Sequence, residues 1–448
     1  MRCVLSWIAG LVVLVASAAK GADDFPLHDG DVWVMAGDSI TAQHLHSNYF
    51  EAFCFARYPK LKFAFRNSGV GGHTIPTTLA RFDYDIAAWK PTVVSVELGM
   101  NDKGRFSTEE YIANMTTMVR RIRDIKARPV MLTASPVNNG ETMARLAGNQ
   151  RLNEYAVALK KFSAENMIPF ADQFHALVDV WGKNKPAENL ANAIPLLRTL
   201  SQDPAVAGHE GLKSFLAAQD ALPTKPVSMQ GDAVHPGPPG QLMMAAALLK
   251  DLGAESFVSH ASLDASGKVN EAKGCVISNV EASGRILRFD RLDESSPMPI
   301  PDQTAAVLPL YPAISELSEY TLQVKGLAPG RYELSVDGVT VFAPLAAEEW
   351  EKGVNLAELA NRPLKTDDKV NAITAQGRAI LAAVAAKESV VGQWRSLSQR
   401  AHAAGAAPGL QAELAELTKK VEAEDEKIRA AAKPKMRRFQ LAIAPDVQ

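Results

Sequence analysis

The stretch that decides the fold is Trp33-Val34-Met35-Ala36-Gly37-Asp38-Ser39-Ile40-Thr41. Its apolar beginning predicts a buried strand, and the small residue and hydroxyl that follow indicate a turn into a helix. A serine at this point lies at the carboxyl edge of a sheet, where open α/β folds bind ligands. It also lies beside a helix N-terminus, which favours negative charge. Taken alone, Ser39 is better explained as an ordinary helix N-cap.

Short apolar runs alternate with helical patterns on both sides of this turn, from residue 31 to residue 253. The predicted strands are Val32–Ala36, Phe63–Phe65, Val93–Leu98, Val130–Ala134 and Ile168–Phe170. Thr108–Lys126 and Arg145–Glu165 carry apolar residues at helical spacing between them. This alternation predicts an α/β domain with a parallel sheet wrapped by helices. Residues 176–230 are a proline-interrupted insertion, interpreted as a packing elaboration, with a lid over the site as the alternative.

Three further blocks follow the serine turn in order along the chain. They are Asn67-Ser68-Gly69-Val70-Gly71-Gly72, Gly99-Met100-Asn101-Asp102 and Asp232-Ala233-Val234-His235. Each block has a simpler explanation: a tight turn for the glycines, a helix cap for Asn101-Asp102 and a surface histidine for His235. Together, in this order and next to predicted strands, they favour one shared site over separate structural roles.

The four blocks resemble the SGNH (GDSL-type) serine hydrolase family over residues 31–253. The resemblance implies an SGNH-hydrolase-like, flavodoxin-like parallel sheet with helices on both faces. It assigns the oxyanion hole to the Ser39 N–H, the Gly72 N–H and the Asn101 side-chain amide. Asp38 and Asp102 are expected to steady their loops by hydrogen bonding.

The chemistry of ester hydrolysis requires the residue types that these blocks contain. A serine hydroxyl is a poor nucleophile until a base removes its proton, and a histidine titrates near neutrality. We therefore expect Ser39 as nucleophile and His235 as general base. Asp232 is expected to accept the other imidazole N–H and to fix the tautomer. A side chain at Gly72 would obstruct the approaching carbonyl.

Metal and nucleic-acid functions find little support in the sequence. His44 and His46 have no evident third ligand and point to different sides of a helix, so we expect surface or rim residues. No metal and no cofactor are predicted. The net charge of −2, without a basic cluster, argues against nucleic acid as a partner.

Residues 1–22 have the order of a secretory signal, in which Met1-Arg2 precedes an apolar run and then small residues. The run is too short for a spanning helix, so cleavage is favoured over a retained anchor. The sequence therefore predicts export to the periplasm or the extracellular space, without stable membrane insertion. Only Cys54 and Cys275 lie outside this segment, which indicates a fold that does not depend on a disulfide framework.

The pattern of apolar and polar residues changes after residue 253. Short alternating runs over 254–345, with the hairpin signal Asp337-Gly338, predict a small antiparallel β domain that resembles a sandwich. Residues 346–433 are an Ala-rich, charged segment that predicts a helical excursion, with a helical hairpin interrupted at Gly405–Gly409. Residues 438–443 alternate again, and we expect a returning strand that pairs with the β domain and leaves the helices beside the sandwich.

The sequence thus predicts an exported serine esterase that hydrolyses a carboxylic ester through an acyl-enzyme. An appended β domain favours a carbohydrate O-acetyl substrate by fold-level analogy, with a small molecule or polysaccharide ester as partner. A lipid esterase, lysophospholipase or thioesterase is the alternative within the class. A non-catalytic glycan-binding or scaffold protein with a degenerate SGNH core is the alternative of another class.

Overall fold

The computed structural model describes residues 25–137, 148–184, 194–220, 231–361 and 371–444. The predicted signal at residues 1–22 lies outside the described residues, as do parts of the insertion at 176–230. Within the described ranges, no helix combines the length and the apolar character needed to cross a bilayer.

The first domain is built on five parallel strands in the order β2-β1-β3-β4-β5, the flavodoxin-like order that was expected. Their bounds are β1 Asp31–Gly37, β2 Phe63–Gly69, β3 Val93–Glu97, β4 Arg128–Leu132 and β5 Phe170–Ala171. Helices cover both faces of the sheet, so the strands are buried and their sequences are nearly continuous apolar runs. The order places the ends of β1, β2 and β3 side by side.

Helices of very different lengths surround this sheet. The long ones are His46–Arg57, Thr108–Asp124, Gln150–Glu165, Gln173–Asn184 and Pro238–Asp251, and the short ones are Ser39–Ala42, Ile75–Ala80, Phe82–Asp85 and the 3-10 turn Ala87–Trp89. The insertion contributes Ile194–Gln202 and His209–Asp220, which pack against each other. Thr108–Asp124 begins at a capping box in which Ser107 and Glu110 satisfy each other's backbone N–H.

The second domain contains two sheets instead of a purely antiparallel meander. One sheet has the order β14-β10-β6-β7, and the other has the order β12-β11-β15-β9-β8 with β13 also paired to β11. The bounds are β6 Phe257–Asp264, β7 Val269–Lys273, β8 Cys275–Ser283, β9 Ile286–Asp293, β10 Glu319–Lys325, β11 Arg331–Val336, β12 Val339–Thr340, β13 Leu345–Ala346, β14 Val354–Asn355 and β15 Arg437–Ile443. All pairs are antiparallel except β6 with β10, which corrects the all-antiparallel prediction.

The returning strand was predicted correctly. β15 lies between β9 and β11 and pairs antiparallel with both. Phe439 and Leu441 are fully buried, and Phe439 stacks on Phe289 with ring centroids 5.3 Å apart. The apolar face of this strand is therefore part of the core of the second domain.

The segment 346–433 is not wholly helical, and its main contacts differ from the expected ones. β14 and the end of β13 lie within it, together with the helices Ala347–Lys352 and Leu356–Ala360. The helical hairpin, defined as Ala372–Ala401 with Leu410–Ala432, packs mainly against helices His46–Arg57 and Phe82–Asp85 of the first domain, and less extensively against helix Leu356–Ala360 and the edge strand β2. The prediction that the hairpin lies beside the sandwich is therefore wrong for most of its length. The local sequence pattern did not reveal its partners, because they lie far away in the sequence.

Buried contacts fix the hairpin to the first domain. Trp394 stacks on Trp89 with ring centroids 3.4 Å apart. Arg66 on β2 forms a bidentate ion pair with Asp425, at 3.0 and 2.7 Å. The short 3-10 turn Asp302–Val307 and helix Ala313–Glu316 fall within residues 254–345, the predicted β domain, but they also pack against helix Pro238–Asp251 of the first domain. The two domains therefore share a continuous core at this boundary.

Candidate active site

The serine turn is tightly constrained at the end of β1. Asp38 caps the helix Ser39–Ala42, since its Oδ1 accepts from the Ile40 N–H at 2.9 Å. A Cβ at Gly37 would lie 2.0 Å from the Thr41 Oγ1, so only glycine fits there. The sequence therefore turns sharply enough to bring Ser39 to the carboxyl edge of the sheet.

A chain of hydrogen bonds joins the serine turn to the last block. The Nε2 of His235 lies 2.8 Å from the Ser39 Oγ, and its Nδ1 lies 2.8 Å from the Asp232 Oδ2. An ionised carboxylate can only accept, so Asp232 takes the Nδ1 hydrogen and leaves Nε2 to accept from the serine hydroxyl. Ser39 and His235, the expected nucleophile and general base, thus lie within hydrogen-bond reach of each other.

Asp232 also organises its own turn. Its Oδ1 accepts from the backbone N–H groups of Val234 at 2.7 Å and His235 at 2.8 Å. These backbone hydrogen bonds, together with the one from the His235 ring, lower the pKa of Asp232 to about 2 although its side chain is 61% exposed. The carboxylate is thus ionised over the whole neutral range and holds the imidazole in one orientation.

The glycine block packs directly beside the serine turn. A Cβ at Gly69 would lie 2.4 Å from the Ala42 backbone nitrogen, which explains why the loop can approach so closely. Gly72 has φ +75°, a conformation that favours glycine, and a Cβ there would meet no protein atom within 4 Å. The open space suits an approaching carbonyl, while the positive φ is a second reason for glycine that the sequence did not reveal.

Asn101 joins three loops, but its amide is already fully engaged. Its Nδ2 donates to the His73 carbonyl at 3.0 Å and to the Asp38 Oδ2 at 3.2 Å. An amide nitrogen carries two hydrogens, so neither remains free for a substrate. The structure thus brings Asn101 to the expected place. A substrate would have to compete with the His73 carbonyl and the Asp38 carboxyl group for its two hydrogens, which the sequence did not predict.

Three buried carboxyl groups lie behind the serine turn. Burial raises the pKa of Asp38 to about 7 and that of Asp102 to about 6. Asp102 accepts from the Ile75 N–H at 3.0 Å, so the expected loop-steadying role of both residues is confirmed. Glu97 was missed by the sequence reading; its Oε2 accepts from the Thr41 hydroxyl at 2.6 Å, and burial raises its pKa well above the usual value. A lone glutamate in the apolar run Val93–Leu98 was the available signal.

His46 is not the surface residue that was expected. It is fully buried, and its backbone N–H and Nδ1 lie 2.9 and 3.0 Å from the Gln241 Oε1. Desolvation lowers the pKa of His46 to about 4, so the ring is neutral. His44 instead lies 3.1 Å from Glu388 of the helical hairpin. Across the described ranges, no group of three or more His, Cys, Asp or Glu side chains is arranged to hold a metal ion.

The first domain is similar in sequence to known proteins. Residues 35–241 match the model of the GDSL-like lipase/acylhydrolase family. Over 211 residues the chain is 23% identical to an acetylxylan esterase of Geobacillus stearothermophilus, a match that covers 45% of this chain and 77% of that protein.

A solved structure extends the likeness in fold to almost the whole chain. A gut microbial diltiazem-metabolizing enzyme is similar with a TM-score of 0.69 at 21% identity, covering 94% of this chain and 99% of that one. That similarity concerns the fold and includes the β domain and the helical hairpin. Over residues 35–241 the chain is thus similar to the GDSL-like lipase/acylhydrolase family, and this match together with the esterase relative supports an ester hydrolase.

Proposed function

We propose that this chain hydrolyses a carboxylic ester through an acyl-enzyme formed on Ser39. The observation that carries the proposal is the hydrogen-bonded series from Ser39 Oγ through His235 to Asp232. His235 takes the serine proton as Oγ attacks the carbonyl, and then returns it to the departing alcohol. Water, deprotonated by the same imidazole, attacks the acyl-enzyme and releases the acid. Asp232 keeps Nδ1 protonated and stabilises the imidazolium.

The oxyanion would be held by the Ser39 N–H, the Gly72 N–H and the Asn101 amide. Ser39 is the first residue of its helix, so its N–H has no intrahelical acceptor. Asn101 contributes by sharing the hydrogen that it now donates to Asp38, the longer of its two contacts at 3.2 Å. A developing negative charge competes well for that hydrogen because burial already favours the neutral form of Asp38.

For the substrate we propose an O-acetyl group on a carbohydrate, with a small-molecule or polysaccharide ester as the partner. The likeness to an acetylxylan esterase supports this class, although at 23% identity. The exposure of the Asp232 side chain, 61%, also supports a site that is open enough at this edge for a bulky alcohol. Export to the periplasm or the extracellular space, after cleavage of residues 1–22, belongs to the same proposal. The mass of the secreted protein tests that part.

The first experiment compares wild type with Ser39→Ala, His235→Ala and the double variant. Each single variant should lose nearly all hydrolysis of p-nitrophenyl acetate, and the double variant should lose no more, because the pair acts as a unit. Ser266→Ala, in an exposed turn, is the control and should keep full activity. Full activity in Ser39→Ala would rule out the mechanism.

A second measurement addresses the substrate and the non-catalytic alternative. A fluorophosphonate probe should label wild type but not Ser39→Ala; failure to label wild type would favour a binding or scaffold protein. Acetylated xylan fragments should be deacetylated faster than p-nitrophenyl esters of long acyl chains are hydrolysed. The reverse preference would favour a lipid esterase or thioesterase and would contradict the carbohydrate proposal.

A further inference from the structure

A buried cluster of three charged side chains lies behind the glycine block. We call Arg81, Asp85 and Arg395 the arginine cluster. Arg395 donates to both oxygens of the Asp85 carboxylate, at 2.6 and 2.8 Å, and Arg81 donates to the same carboxylate. The side chains are 3%, 3% and 18% exposed, in the order Arg81, Asp85, Arg395. Arg395 comes from the helical hairpin, more than 300 residues from the other two in sequence.

Each arginine also holds a loop of the candidate active site. The Arg395 Nη1 donates to the Gly69 carbonyl at 3.0 Å, and the Arg81 Nη2 donates to the Gly37 carbonyl at 3.2 Å. The Gly37 carbonyl also accepts from the Val70 N–H at 3.1 Å. The cluster therefore ties the end of β1, just before Ser39, to the end of β2, just before Gly72.

A third contact reaches His73, the residue after Gly72. The Arg81 Nε donates to the His73 Nδ1 at 3.2 Å. A guanidinium can only donate, so Nδ1 must accept and the ring proton lies on Nε2. Partial burial and the charge of Arg81 lower the pKa of His73, in agreement with a neutral ring. The His73 carbonyl is in turn the acceptor of Asn101, so this contact fixes the third member of the oxyanion hole as well.

Two guanidinium groups around one carboxylate leave a net positive charge at this place. The rigid fork of a guanidinium fixes the direction of each hydrogen bond, which a lysine ammonium does not. Displacement of a reacting group by about 1 Å can lower the rate by about a hundredfold. A buried charge network of this kind therefore restricts the two loops that carry the Ser39 and Gly72 N–H groups.

We infer that Arg395 of the helical hairpin is a positioning residue for ester hydrolysis, acting through Asp85, Arg81 and the Gly69 carbonyl on the oxyanion hole. The inference rests on the proposed function of Ser39 and Gly72. It gives the C-terminal helical hairpin a part in the chemistry of the first domain. Arg395 touches neither the reacting serine nor its histidine, so it acts by holding the groups that do.

The test compares Arg395→Ala with Arg429→Ala. Arg429 lies in the same hairpin and donates to the Phe63 carbonyl at 2.7 Å, at the opposite end of β2. With p-nitrophenyl acetate, Arg395→Ala should lower kcat by about tenfold to a hundredfold with little change in KM, because only transition-state stabilisation is lost. Arg429→Ala should keep the wild-type kcat. Both variants are compared at temperatures where circular dichroism shows them folded.

Two further readouts separate positioning from general destabilisation. Arg395→Lys keeps the charge but should remain impaired, and millimolar guanidinium chloride should restore part of the kcat of Arg395→Ala but not of Arg395→Lys. In nitrogen-15 NMR, the His73 ring should be the Nε2–H tautomer in wild type and a tautomer mixture in Arg395→Ala. Arg395→Gln, which keeps most of the side-chain volume, replaces the alanine variant if that protein does not fold.

The inference is overturned if Arg395→Ala keeps the wild-type kcat, or if Arg429→Ala loses as much as Arg395→Ala. Failure of the proposed function looks different, since wild type would then neither react with the fluorophosphonate probe nor differ from Ser39→Ala. Labelling of wild type together with full activity in folded Arg395→Ala removes only the role of Arg395.

Discussion

At the scale of single residues, Asp232 combines high exposure with tight local bonding. Its carboxylate accepts two backbone hydrogen bonds and one from the His235 ring, and these hold its pKa at about 2. The depressed pKa means that the ionised form stabilises the fold above the usual value of 3.8. This contribution is lost only as the pH falls from about 3.8 toward about 2.

The loss of stability in Asp232→Asn should therefore depend on pH only over a narrow range. The difference in unfolding free energy between wild type and the variant should stay constant from neutral pH down to about pH 5 and shrink below about pH 4. Urea unfolding at a series of pH values measures it. Asp264→Asn, in an exposed turn with similar local hydrogen bonds, should leave hydrolysis unchanged. A difference that already shrinks near neutral pH would contradict the assignment.

Individual residues also show which parts of the site could be predicted from the sequence and which could not. The blocks around Ser39 and His235 were predictable because their chemistry needs particular residues beside strands. His46 was not, since nothing local reveals that Gln241, nearly 200 residues away, buries and bonds its ring. Likewise Arg395 sits in an Ala-rich helix whose pattern indicates only a surface. Polar residues that are buried by distant partners carry no periodic signal.

At the scale of elements, β15 was predictable and β7 was not. β15 alternates in sequence because one of its faces is buried, whereas β7, Val269–Lys273, is an almost wholly exposed edge strand with no apolar face. Leu441 pairs in register with Leu334 on one side and Leu287 on the other. This leucine therefore packs at the centre of its sheet.

Leu441→Ala should destabilise the β domain by about 2–5 kcal/mol, the usual range for truncating a buried leucine. Gln440→Ala, one residue earlier on the opposite face, should change stability by less than about 1 kcal/mol, since it loses mainly a hydrogen bond from Arg288. Thermal and urea unfolding measure both. Equal losses in the two variants would mean that β15 does not have the described register.

At the scale of the whole molecule, the helical hairpin and the first domain are joined by a fully buried ion pair. Lys387 contacts Glu51, and the two side chains are 0% and 3% exposed. The lysine also donates to the Phe65 carbonyl at 2.9 Å. Burial raises the pKa of Glu51 to about 7 even though Lys387 acts in the opposite direction.

Lys387→Met should destabilise the protein by about 3–5 kcal/mol at pH values above 7, because it leaves a buried carboxylate without its cation. The loss should become smaller as the pH falls below about 7, since Glu51 is then protonated in both folded proteins and no longer needs the cation. The double variant Glu51→Leu/Lys387→Met should recover most of the stability. Denaturant unfolding of wild type, the two single variants and the double variant measures the coupling between Lys387 and Glu51. Additive losses of stability would contradict this coupling.

The position of β15 has a consequence for the order in which the protein is made. Its neighbours β9 and β11 leave the ribosome about 100 residues or more before it does, and they do not pair with each other directly. Until residue 443 has been synthesised, two strand edges stay unpaired, and such edges template aggregation. Contacts so distant in sequence also slow folding. Completion of this sheet is thus a late event in folding, and chains that terminate before β15 would retain unpaired edges for chaperones or proteases to recognise.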